Sequence, residues 1–169
     1  MKTINERPVE LIGNCRAHLT PDDEFQIQGM KLENPRQSSL CLLALSHFPP
    51  IVSQLQRGKC FFAHVACPDC LARLEQENRV VFLLGHADKW TLCQAISEYR
   101  RLETRFLEET GSLTQGRPLA GLVRPLGGKE PEISGQLRIA AIQDLKQGEY
   151  GKATQKMLAA LEELKRAFA

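Results

Sequence analysis

Hydrophobic and polar positions change period along the chain, and the changes divide it into elements. Pro8-Val9-Glu10-Leu11-Ile12-Gly13 and Glu24-Phe25-Gln26-Ile27-Gln28 alternate as half-buried strands do. The polar Thr20-Pro21-Asp22-Asp23 turn signal between them predicts a hairpin. After Asn34-Pro35 and a Ser38/Ser39 cap signal, Leu40 to His47 reads as an apolar helical run. Pro49-Pro50 breaks that run, Ile51, Val52 and Leu55 resume it, and Gly58 ends it, which predicts one bent helical segment on a sheet. Cys60 to Ala66 reads as a buried strand and Leu71 to Gln76 as a short helix. Arg79 to Leu84 is a strand whose unbroken Val-Val-Phe-Leu-Leu run predicts burial on both faces.

Beyond this point the period becomes helical. Asp88 caps a helix from about Lys89 to Glu109, with Leu92, Ile96, Tyr99, Leu102 and Phe106 along one face. Gly111, Gly116, Gly121, Gly127 and Gly128, with Pro118, Pro125 and Pro131, give the next stretch the composition of a linker. Two helices follow, about Ile133 to Gln147 with Leu137, Ala141 and Leu145 on one face, and about Tyr150 to Phe168 with Ala153, Met157, Ala160, Leu161 and Leu164. Gly148 joins them as an antiparallel hairpin. The expected fold class is α+β: a small mixed sheet with short helices (β-β-α-β-α-β) over residues 1–88, a connecting helix at 89–110, a Gly/Pro-rich linker at 111–132 and a helical hairpin at 133–169.

Composition narrows the functional classes. The 169 residues can bury an ordinary core without disulfides. Lys and Arg number 22 against 20 Asp and Glu, a net charge of +2, and no basic run or aromatic-interleaved basic stripe is present, so nucleic acid is not an expected partner. The N-terminal residues lack the apolar core of a secretory signal and no apolar run approaches a membrane span, so the expectation is a cytoplasmic protein without a membrane partner.

Six cysteines are many for a chain kept in a reducing compartment, where they read as core residues, metal ligands or redox thiols before they read as a disulfide framework. Cys67-Pro68-Asp69-Cys70 is the sharpest local feature: two cysteines three apart at a turn can chelate one metal or close a reversible disulfide. For a metal, Cys15-x-x-His18 can complete a Cys₃His set with Cys67 and Cys70, and Cys41 is a rival or additional ligand; zinc or iron is the candidate ion. For redox chemistry, the strand, Cys67-x-x-Cys70 and helix order places the first thiol near a helix N-terminus, where a thiolate is favoured. Against both readings, Cys41, Cys60 and Cys93 also fit as small core hydrophobes. His47, His64 and His86 read as core or loop histidines, and the Asp22-Asp23-Glu24 run as a solvated turn. No phosphate-binding Gly-rich loop follows any strand, so no nucleotide cofactor is expected.

Residues from about 8 to 86 resemble a family of small uncharacterised prokaryotic proteins known by the name TIGR zero-four-zero-seven-six. The likeness runs through Gly13-x-Cys15, Asp23-Glu24-Phe25, Cys41-x-x-Ala44-Leu45, Pro50, Gly58, Ala66-Cys67-Pro68-Asp69 and Val81-Phe82. It implies a shared shape and shared cysteines at Cys15, Cys41 and Cys67, and no activity. The tail is similar to a single tetratricopeptide-type repeat, through Gly148-Glu149-Tyr150-Gly151-Lys152-Ala153 and Ala160-Leu161-Glu162. One such hairpin has an apolar face left over, which implies docking on its own first domain, on a second copy or on a protein partner.

The expectation from sequence is therefore a cytosolic accessory or binding protein, with a cysteine-lined, metal-binding site in its first domain and an assembly module in its tail. A thiol-dependent enzyme using Cys67 and Cys70 is the first alternative, and a purely structural interaction protein the second.

Overall fold

The computed structural model describes residues 2–13, 15, 17–29, 31–34, 41–68, 79–109 and 132–167. The expected short helix at 71–76, Cys70, and residues 111–131 of the expected linker lie outside the described residues. The chain divides into two compact units, Met1–Cys93 and Gln94–Ala169.

In the first unit the strands are β1 (Thr3–Ile12), β2 (Phe25–Gln28), β3 (Lys31–Glu33), β4 (Phe62–Ala66) and β5 (Arg79–His86), with helix α1 (Leu42–Gln56) between β3 and β4. They form one sheet in the order β3-β2-β1-β5-β4. Every neighbouring pair is antiparallel. The α+β class is thus observed, while the sheet is antiparallel and not mixed. Parallel neighbours need a crossover between them, and α1 instead joins the two opposite edges of the sheet.

Register decides which side chains meet. Residues paired across an antiparallel ladder share a face, and β1 is matched to β5 as Ile4 to His86, Glu6 to Leu84, Pro8 to Phe82 and Leu11 to Val80. The register shifts between Pro8 and Glu10, where proline has no N–H to give the ladder. Onto this face α1 lays Ala44, Phe48, Val52 and Leu55, a stripe at helical spacing. With Ile4, Leu19, Ile27, Cys67, Val80, Phe82 and Leu84 they make the core, and Phe48 meets Phe82 edge to face with ring centroids 5.4 Å apart.

Helix α1 runs unbroken through Pro49 and Pro50, where a break was expected. Each proline removes a hydrogen bond to the carbonyl four residues back, here of Leu45 and Ser46. Ser46, Pro49 and Pro50 all lie on the exposed side, so water can serve the freed carbonyls while the buried stripe holds the helix to the sheet. Gly58, at φ 73°, then ends it, its N–H donating to the Leu55 carbonyl at 2.9 Å.

Strand β1 starts five residues earlier than its alternation suggested, and β3 was not anticipated. Both gaps come from charged residues: Glu6 and Arg7 interrupt the first strand's pattern, and Lys31-Leu32-Glu33 is a three-residue edge strand with a single apolar position. Gly29, at φ 62°, supplies the turn that returns β3 onto β2.

A short 3₁₀ turn (Ala87–Lys89) leads into α2 (Trp90–Glu109), followed after the undescribed stretch by α3 (Glu132–Lys146) and α4 (Tyr150–Ala167). The greater part of α2 belongs with α3 and α4 in the second unit. Gly148, at φ 77°, turns α3 into α4, and α4 buries Ala153, Met157, Ala160, Leu161 and Leu164, the face its spacing predicted. Within the second unit Tyr99 and Ser134 are hydrogen-bonded, Arg138 pairs with Glu103 and Lys165 with Glu98, at 3.8 and 3.1 Å. Among the described residues no helix is long and apolar enough to cross a membrane.

Candidate functional site

The structure brings two of the candidate cysteines together. Cys41 is the residue before α1, in extended conformation, and Cys67 is the first residue after β4, its N–H donating to the Val80 carbonyl at 2.8 Å. Their sulfurs are 3.9 Å apart although 26 residues separate them in sequence. Cys67 is 2% exposed and Cys41 partly exposed, so Cys41 is the more accessible residue of the pair.

Cys41 lies at a crevice between α1 and the sheet that Glu6, Leu19, Phe25, Ala44, Leu45, Phe48 and Phe82 also line. Burial pushes the Cys41 thiol above its ordinary value; the backbone N–H groups of Ala44 and Leu43 act in the opposite direction, and the neighbouring Cys67 adds to the rise.

Glu6 was missed by the sequence reading. Its place opposite Leu84 and Phe25 turns its carboxyl into the core face; it is 1% exposed, and its Oε2 has no hydrogen-bond partner among the described residues. Burial raises its pKa to about 8, so the carboxyl keeps its proton at neutral pH. The available signal was period-two spacing carried back from Pro8 through Glu6 to Ile4.

Of the other described candidates, neither Cys15 nor His18 makes a metal-holding group of three with the pair. Cys15 packs partly buried against the core cluster, and His18 is exposed at φ 50°, its N–H closing a turn onto the Cys15 carbonyl at 2.9 Å. Among the described residues no three His, Cys, Asp or Glu side chains are placed to hold a metal ion. Cys60 is partly buried and Cys93 fully buried, and burial pushes the Cys93 thiol up to about 12. Asp23 closes its own turn, accepting the Thr20 N–H at 2.6 Å. His86 is buried, and its Nε2–H donates to the Leu55 carbonyl at 2.9 Å, tying the end of β5 to the end of α1.

No family model, no curated protein and no solved structure matches the chain.

Proposed function

We propose that this is a cytoplasmic accessory or binding protein whose sheet unit holds a metal ion, zinc or iron, through thiolates centred on Cys41 and Cys67. The observation that carries the reading is the 3.9 Å separation of their sulfurs. Two thiolates about 2.3 Å from one tetrahedral ion stand about 3.8 Å apart, so this pair needs little movement to share one. Cys70, three residues after Cys67 in sequence, is the next ligand in this reading, and Cys15 the reserve. The helical unit serves assembly with a second copy or a protein partner, supported by Ile133, Ile139, Tyr150 and Leu158, which are exposed on it.

Elemental analysis of protein purified without oxygen and without an affinity metal tests the metal. Near-stoichiometric zinc or iron that disappears in a Cys41→Ser, Cys67→Ser variant is the expected result. A metal-free wild type that also fails to take up added zinc would leave a structural interaction protein as the better reading.

A further inference from the structure

We propose that Cys41 and Cys67 also form a reversible disulfide with each other, with Cys41 as the thiol that meets the oxidant and Cys67 as the resolving thiol. The inference goes beyond the binding reading: it uses the same two sulfurs and needs no metal.

Geometry supplies the pairing. A disulfide holds its sulfurs about 2.05 Å apart, so the 3.9 Å gap must close by about 1.9 Å. Cys67 is anchored by its hydrogen bond to Val80 at the end of the ladder. Cys41 caps α1 with extended φ and ψ of −91° and 104°, and its carbonyl accepts the first helical hydrogen bond from the Leu45 N–H at 3.0 Å. Both backbones are thus tied by hydrogen bonds, and the closing movement falls on rotation of the two side chains, with the partly exposed Cys41 the freer of them.

Access supplies the order of events. A low-molecular-weight disulfide can reach the partly exposed Cys41 more readily than the buried Cys67. Cys41 gives up its thiol proton and its sulfur attacks the small disulfide, forming a mixed disulfide and releasing one small thiolate, which takes up a proton. Cys67 then loses its proton and attacks the Cys41 sulfur, forming the protein disulfide and releasing the second thiolate, which is protonated in turn. Two protein thiols are oxidised by two electrons and one small disulfide is reduced to two thiols. An added dithiol attacks the protein disulfide, then closes to its own cyclic disulfide and releases Cys41 and Cys67 as thiols.

The test treats reduced, metal-free, full-length protein with glutathione disulfide, quenches with acid, alkylates the remaining thiols and maps the unreduced peptides by mass spectrometry. A Cys41–Cys67 cross-linked peptide that disappears with dithiothreitol is expected, and it should still form in a Cys70→Ser variant. In Cys67→Ser, Cys41 should be trapped as the glutathione adduct; in Cys41→Ser, Cys67 should stay free. Wild-type protein in which Cys41 and Cys67 both remain alkylatable, or in which Cys67 pairs with Cys70 instead, overturns the proposal. Metal content of untreated protein is read separately, so loss of either idea leaves the other standing.

Discussion

Tyr99 donates its phenolic hydrogen to the Ser134 hydroxyl at 2.9 Å, and Ser134 donates its own to the Ala160 carbonyl at 3.0 Å. The carbonyl can only accept, which fixes both directions. Tyr99 and Ser134 are fully buried, so this short relay links α2, α3 and α4 through partners shielded from water, where an unmet polar group is costly.

Unequal losses follow from that relay. Tyr99→Phe removes a donor and leaves Ser134 still bonded to Ala160, costing about 0.5–1.5 kcal/mol. Ser134→Ala strands a buried phenol hydrogen and costs about 1–3 kcal/mol. The double variant should cost less than the sum of the two, because both singles break the same bond. Urea denaturation of the four proteins checks this, and additive losses would mean that the two hydroxyls act independently.

Gly85 sits where a side chain has no room. A β-carbon there would stand 2.8 Å from the Cys93 sulfur, 3.2 Å from its β-carbon and 3.3 Å from the Trp90 ring. Gly85→Ala should therefore destabilise by about 1–3 kcal/mol, the usual cost of overpacking a core. Adding Cys93→Ala removes the sulfur and should recover part of that loss, since the Trp90 contact remains. Thermal denaturation of the single and double variants is the check; a double variant no better than Gly85→Ala would place the strain elsewhere.

The elements that were legible share one property: a single period strong enough to survive context. The α4 stripe at Ala153, Met157, Ala160, Leu161 and Leu164, and the unbroken apolar run of β5, are of this kind. What could not be read depends on pairing. Period-two spacing hints at the inward face for Glu6, but a carboxylate argues against it, and its burial is settled only by standing opposite Leu84 and Phe25 in the ladder. The candidate site divides in the same way. Cys41 and Cys67 could each be picked out, but chain separation favoured Cys70 as the partner of Cys67, and only the packing of α1 on the sheet brings Cys41 to it.

His18 has the backbone of a glycine. Its φ of 50° is in the left-handed region, which costs a residue with a β-carbon about 1 kcal/mol, and its exposed imidazole gathers with no metal-ligating group of three among the described residues. His18→Gly should leave stability unchanged or raise it by up to about 1 kcal/mol, because relief of strain is offset by the freer unfolded chain. Metal content should not change. A variant that loses bound zinc or iron would return His18 to the ligand set.

Glu6 gives the fold a pH dependence of unusual sign. In the unfolded chain its carboxyl ionises around the ordinary value of 4.5, whereas in the core burial holds the proton until about pH 8. Between these values the native state binds a proton that the unfolded state does not, so stability falls as pH rises. The slope approaches about 1.4 kcal/mol per pH unit in the middle of the window. A carboxylate held by an ion pair behaves in the opposite way, gaining stability over its own window as pH rises. Below the window both states are protonated, and above it both are ionised, so the dependence levels off at each end. Glu6→Gln cannot ionise and should remove this contribution while leaving those of other groups. Denaturation midpoints of wild type and variant from about pH 5 to about pH 8 would show the difference curve directly. Parallel curves would mean that Glu6 ionises in the folded protein as it does in the unfolded chain, and that its carboxyl finds a partner in solution.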